Sequence, residues 1–159
     1  MWREFIRSLT SLGRFSDPAS AEEIARLEQT LGVHLPEDLR TLLEESNGVS
    51  VGPVFPELND IVLSLVWSTE EIREENAFFR SFEASHPGEF PPLTPLFFFA
   101  SEPNGDLLAF QVSDGRLTEP SIIRMRHDDY GDRKVVAASL REYLTQFLQF
   151  TTERERDAV

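Results

Sequence analysis

The sequence contains no cysteine and little histidine or glycine, and these shortages exclude several kinds of catalytic site. Without thiols, the chain of 159 residues can form no disulfide, no thiolate metal site and no cysteine nucleophile. Its three histidines, His34, His86 and His127, occur in no HxH or HExxH pattern. The eight glycines form no phosphate-binding loop sequence. We therefore expect a protein that is not an enzyme and that needs neither a cofactor nor a metal.

One histidine does lie beside acidic residues. Asp128 and Asp129 follow His127 directly, and Asp132 comes three residues later. Carboxylates of this kind can hold a hard cation, and a histidine beside an acid can transfer protons. Because the spacing lacks the calcium-binding EF-hand pattern, we interpret this segment as a solvated turn.

Lysine is almost absent, and the charge balance is strongly acidic. Lys134 is the single lysine, and 15 basic residues stand against 28 acidic ones, a net charge of −13. Such a chain repels phosphate backbones and anionic lipid, so we expect no nucleic-acid or membrane partner. A basic protein partner is favoured because electrostatic attraction between opposite charges accelerates the association of two proteins. The alternative is that the acidity only keeps the protein soluble.

Long apolar runs are also missing. No segment approaches the roughly 20 apolar residues that cross a bilayer as a helix. The first residues, MWREFIRSLTSLG, do not read as a signal peptide because Arg3, Glu4 and Arg7 interrupt the apolar stretch. We therefore expect a cytoplasmic protein.

The stretch that organises the chain is a pair of short amphipathic helices between Ala21 and Gly48. Ser20 and Glu23 have the spacing of a capping box, and Gly32 is suited to end the first helix. Pro36 is suited to start the second helix. The apolar positions recur at helical spacing and predict buried stripes. These positions are Ile24, Leu27, Leu31, Leu39, Leu42 and Leu43.

The rest of the chain predicts a strand, a helix, several more strands and a closing helix. Asp60–Trp67 is rich in β-branched residues, and Ser68 or its neighbour caps the helix that follows. Leu96–Val112 holds two apolar runs around Asn-Gly, the mark of a hairpin. Ser121–His127 reads as a third strand, and Ser139 caps the last helix. Consecutive strands with short turns indicate an antiparallel sheet, so the fold class is α+β, with helices packed around a hairpin and meander.

This order resembles the Smi1/Knr4 family of the SUKH superfamily. The resemblance runs from Ser20 to about Leu148 and implies a single domain at residues 20–150. Residues 1–19 are then an N-terminal helix and connector, and residues 151–159 a charged tail that frays. The residues that carry the resemblance most directly are Ile24, Leu27, Glu28, Gly32, Leu35, Pro36, Leu39, Leu43, Asn47 and Gly48.

The resemblance implies a protein-binding module. Bacterial members of that family are largely immunity proteins that bind and neutralise toxin domains, often nucleases or deaminases. Some eukaryotic members are scaffold or regulatory proteins. The first function is our prediction here, and the second is the alternative.

Acidic residues gather in two segments, residues 70–89 and residues 102–132, each with a net charge of −4. If the hairpin turns and the acidic helix share an edge, the two segments form one surface, which we call the acidic rim. We predict that this rim contacts the basic partner. Its residues are Glu70, Glu71, Glu74, Glu75, Glu102, Asp106, Asp128, Asp129 and Asp132.

Overall fold

The computed structural model describes the backbone of residues 1–54 and 61–157, and their side chains except those of residues 117–119 and 153–157. Within these ranges the chain forms five helices and seven strands. The helices are α1 (Trp2–Leu9), α2 (Ala21–Leu31), α3 (Glu37–Glu45), α4 (Thr69–Ser85) and α5 (Leu140–Asp157). The strands are β1 (Gly13–Phe15), β2 (Val49–Val51), β3 (Leu63–Val66), β4 (Leu96–Ser101), β5 (Leu107–Ser113), β6 (Arg116–Met125) and β7 (Arg133–Ala137). The predicted α+β class is confirmed.

The helix pair α2–α3 forms as its sequence predicts. The Ser20 hydroxyl accepts a hydrogen bond from the Glu23 N–H, and the Glu23 carboxylate accepts one from the Ser20 N–H, which completes the capping box. Gly32 ends α2 with a φ of 65°, in the left-handed region that favours glycine. Leu39 and Leu43 of α3 are fully buried, which confirms the predicted stripe.

Two antiparallel sheets meet edge to edge. The smaller has the order β1-β2-β3 and the larger the order β4-β5-β6-β7. At their junction the Trp67 N–H donates to the Phe99 carbonyl oxygen at 2.9 Å. The turn between β4 and β5 contains the predicted Asn-Gly, and Gly105 takes a φ of 95° there. The Leu96–Val112 hairpin is therefore confirmed.

Helices cover both faces of the larger sheet. Phe98 contacts Phe79 of α4, whereas the Phe99 ring contacts Phe110 of β5 and Tyr143 of α5. The pairing of β4 with β5 shifts between Phe98 and Ala100, and Phe99 is the additional residue that this bulge accommodates. The rings of Phe98, Phe99 and Phe110 are fully buried, so phenylalanine forms the centre of the core.

Asn76 fixes α4 to the edge of β4. This buried side chain accepts a hydrogen bond from the Phe98 N–H at 3.0 Å and donates to the Phe98 carbonyl at 2.8 Å. The N–H and the carbonyl of Phe98 thereby both have a hydrogen-bond partner at the edge of the sheet. The position of α4 on the sheet is therefore set by hydrogen bonds as well as by packing.

Three short strands differ from the predicted order. The sequence indicates no strand in the segments that contain β1, β2 and β7. Each has only three to five residues, too few for a clear period of two. The predicted strand Asp60–Trp67 is shorter and spans Leu63–Val66, while Asp60 lies outside the described residues.

The two ends of the chain are tied to the domain. Trp2 is buried, and its indole N–H donates to the Thr41 hydroxyl at 2.8 Å. Residues 151–157, predicted to fray, continue α5 because Thr151 is buried and the Thr152 hydroxyl donates to the Leu9 carbonyl. Residues 158–159 lie outside the described part of the chain. Across the described residues, no helix has the length and apolar character needed to cross a membrane.

Candidate partner-binding surface

Asp106 joins two turns at one end of the larger sheet. Its carboxylate accepts the backbone N–H of His127 at 3.2 Å, and the His127 Nδ1 atom lies 2.7 Å from the same oxygen. Asn104 donates to the other oxygen at 3.1 Å. Burial acts to raise the pKa of Asp106, but these hydrogen bonds outweigh it and hold the pKa below its ordinary value. Asp106 therefore links the β4–β5 turn to the β6–β7 turn.

The β6–β7 turn carries the three aspartates of the acidic rim. Asp128 lies 2.7 Å from the Arg126 guanidinium, and Asp132 lies 3.6 Å from it. Asp129 is exposed and accepts the Gly131 N–H at 3.0 Å. Two of the three carboxylates thus share one arginine, Arg126, whereas the carboxylate of Asp129 faces solvent.

Glu102 lies on the face of the sheet that α5 covers. It forms an ion pair with Arg124 at 3.5 Å, and burial raises the pKa of its carboxyl group. With Tyr143 these residues line a cavity of about 340 Å³. Burial raises the pKa of Tyr143, and its hydroxyl has no hydrogen-bond partner among the described residues. Sequence alone does not indicate this cavity, because its residues come from four separate parts of the chain, the β4–β5 turn, β6, β7 and α5.

The remaining acids of the rim lie along α4. Glu71 belongs to a capping box with Ser68, and Glu70 lies 4.0 Å from Arg73. Glu74 and Glu75 are exposed, and neither is paired with a base within the described part of the chain. These two carboxylates therefore present their full charge to solvent.

A row of aromatic rings follows the carboxylates along α4. Phe78 stacks on Phe82 at 6.1 Å between ring centroids, and Phe82 stacks on His86 at 4.1 Å and on Phe90 at 5.7 Å. Tyr130 of the β6–β7 turn meets Phe82 edge-on at 5.9 Å. The first ring of the row, Phe78, is 57% exposed. At helical spacing Phe79 and Phe82 continue a stripe with Ile72 and Asn76, and this spacing gives no reason to single out Phe78.

These contacts decide which parts of the acidic rim are neighbours. Through Tyr130, the β6–β7 turn packs against the second half of α4, and this turn is the segment that carries Asp128 and Asp129. Asp106 brings the β4–β5 turn to the same end of the sheet. Glu70 lies at the other end of α4, where it shares a shallow pocket with Glu23 and Arg26 of α2. Whether these residues bind a partner stays a prediction.

The surface offers charge, hydrogen-bond acceptors and ring faces. Across the residues whose side chains are described, no group of three metal-binding side chains gathers. The sequence places His127 beside Asp128 and Asp129, but in the structure its ring pairs with Asp106 of the other turn, and both carboxylate oxygens of Asp106 accept hydrogen bonds within the turns. The arrangement suits recognition of another molecule by contact.

The comparison with protein families gives one match. The model of the SMI1 / KNR4 family (SUKH-1) matches residues 18–146, from the connector before α2 into α5. A search of curated proteins finds no match. The matched range covers most of the chain and agrees with the resemblance predicted from Ser20 to about Leu148.

Proposed function

Because the chain belongs to the SMI1 / KNR4 family (SUKH-1), whose fold serves as a protein-binding module, we propose that it is an immunity protein. It binds a toxin domain of the nuclease or deaminase type in the cytoplasm and blocks its activity. It does so as a binding partner and not as an enzyme. No cofactor or metal takes part.

The observation that supports this proposal best is the exposed negative charge beside an exposed aromatic surface. The net charge of the chain is −13, and Glu74, Glu75 and Asp129 are exposed. A protein that acts on nucleic acid must present a basic surface to phosphate. An acidic surface that covers the basic one competes with the substrate and is drawn to it by long-range attraction.

Within the acidic rim, the residues have different parts in the proposal. Glu74, Glu75 and Asp129 contact the partner, because their charges are not shared with any arginine or lysine whose side chain the structure describes. Asp106 and Glu71 hold the turn and the helix end in place through their hydrogen bonds. The remaining rim acids are ion-paired and add to the negative electrostatic potential around the contact. They are Glu70, Glu102, Asp128 and Asp132.

The test begins with affinity capture from the native host and identification of the bound protein by mass spectrometry. We expect a protein with a basic domain that stops growth when it is expressed alone. Co-expression with this chain should restore growth, and the purified pair should form a stable complex. Leu39→Ala, which disrupts the core, is the control for loss of folded protein. A bound protein that does not affect growth would favour the scaffold or regulatory alternative instead.

A further inference from the structure

Phe78 is an aromatic side chain on the outer side of α4. Its ring stacks on Phe82 with an interplanar angle of 27°, and Phe79 meets it edge-on at 5.3 Å. More than half of the residue remains exposed. Because Phe82 covers one side of the ring, the exposed area includes the other side. Unlike an isolated exposed side chain, Phe78 continues into the rings of Phe82 and Phe90, so it offers a partner an extended aromatic surface.

Two exposed carboxylates lie one helical turn before this ring. Glu74 precedes Phe78 by four residues and Glu75 by three, and side chains at these spacings are neighbours on a helix surface. From this juxtaposition we propose that Phe78, Glu74 and Glu75 bind an arginine side chain of a protein partner. The guanidinium lies flat on the free face of Phe78 and donates hydrogen bonds to the two carboxylates.

Arginine fits this arrangement better than lysine for geometric reasons. Its planar guanidinium can stack on a ring and still donate in its own plane, whereas an ammonium group is compact and strongly hydrated. Tyr130 and Phe90 continue the aromatic surface from Phe82, so a chain segment around the arginine finds further apolar contact. A second copy of this acidic chain is a poor occupant, because it brings more negative charge to the same surface.

The arginine site is a more specific form of the proposed contact, and the identity of its natural partner rests on the proposed function. Its test uses a defined probe and does not require that partner. The probe is a blocked, dye-labelled peptide of alternating arginine and glycine, and the comparison peptide has lysine in place of every arginine. Fluorescence anisotropy with the full chain at low salt measures both affinities. We expect the arginine peptide to bind roughly two- to five-fold more tightly, the factor for one exposed cation–π contact that the guanidinium makes and the strongly hydrated ammonium group does not.

The variants locate the contact. Phe78→Ala should remove the preference for arginine, whereas Phe78→Tyr, which keeps the ring, should retain it. Phe150→Ala removes an exposed phenylalanine of α5 and should leave the preference unchanged. Glu74→Gln combined with Glu75→Gln should weaken binding of both peptides. Equal affinity of the two peptides for the native chain, or a preference that survives Phe78→Ala, would overturn the inference.

Two further results separate this inference from the proposed function. If the native chain forms a dimer in sedimentation that Phe78→Ala dissociates, a second copy covers the ring and the arginine site is refuted. If the peptide results hold while the captured partner proves harmless to cells, the arginine site stands and the immunity function fails. If the chain protects cells and shows no arginine preference, the reverse conclusion follows.

Discussion

At the scale of single residues, Asp106 has the most clearly defined role of the rim acids. It is buried at the end of the sheet, where it accepts hydrogen bonds from His127 and Asn104. These bonds replace those that the carboxylate would make with water, and they join two turns that are distant in the sequence. A charged acceptor in this position stabilises the folded state.

We predict that Asp106→Ala lowers the free energy of unfolding by about 1–3 kcal/mol at neutral pH, because the hydrogen bonds from Asn104 and His127 to a charged acceptor are lost. The pKa of Asp106 is lower in the folded state than in the unfolded state. The stabilisation it provides is therefore complete above the unfolded pKa of about 3.9 and is lost as the pH falls through the folded pKa. Urea unfolding at neutral pH and at successively lower pH values measures the difference.

The difference between native chain and variant should shrink once the pH falls below about 4. Glu75→Ala, a change at an exposed acid, should alter the free energy of unfolding by less than about 0.5 kcal/mol and serves as the control. A difference for Asp106→Ala that stays constant over the acidic range would contradict a role for the ionised carboxylate.

At the scale of helices and strands, the α2–α3 pair carries much of the core packing. Leu27, Leu39 and Leu43 are buried to within one per cent of complete burial. Each faces inward because apolar residues recur at three and four positions along the two helices. The stability of this pair therefore depends on its buried stripe more than on helix propensity.

Leu39→Ala should lower the free energy of unfolding by roughly 2–5 kcal/mol, the range for truncating a buried leucine. Denaturant titration measures the loss. Glu44→Ala, on an exposed position of the same helix, should change it by less than about 0.5 kcal/mol. A loss as small for Leu39→Ala as for the control would mean that the stripe does not face the core.

The same elements explain how much could be predicted from sequence. The capping box of Ser20, the glycine at the end of α2 and the Asn-Gly turn are local signals, since each depends on a few adjacent residues. The strands β1 and β2 are not local, because three residues become a strand only when a distant partner supplies hydrogen bonds. These elements were therefore missed.

The candidate surface also combines features that the sequence predicts with features that only the fold decides. Sequence alone indicates which segments are acidic, but it cannot tell that Tyr130 brings the β6–β7 turn against α4. Helical spacing does indicate that Phe79 lies on the inner side of α4 with Ile72 and Asn76, and the structure buries it. The same spacing does not tell that Phe78 stacks on Phe82 while most of it stays exposed. A contact at Phe78 therefore depends on tertiary packing.

At the scale of the whole molecule, the position of the negative charge matters as well as its amount. A net charge of −13 attracts any basic protein, and this attraction is screened beyond roughly 8 Å at physiological salt. Specific recognition requires the charge to be placed at the contact. Two variants with equal net charge can separate these effects.

The first variant reverses four acids beside the aromatic row, with lysine at Glu74, Glu75, Asp128 and Asp129. The second reverses four exposed acids elsewhere, with lysine at Asp17, Glu22, Glu37 and Glu44. Each reversal adds two positive charges, so both variants change from −13 to −5. Thermal melts must first show that both are folded.

The decisive measurement is the association rate of each variant with the captured partner, by stopped-flow mixing over a range of salt concentrations. We predict that salt slows association of the native chain while dissociation changes less. The first variant should associate at least about ten-fold more slowly than the second at low salt, because only the first places positive charge at the contact. Equal rates for the two folded variants would contradict the account, since the acidic surface would then act through total charge alone.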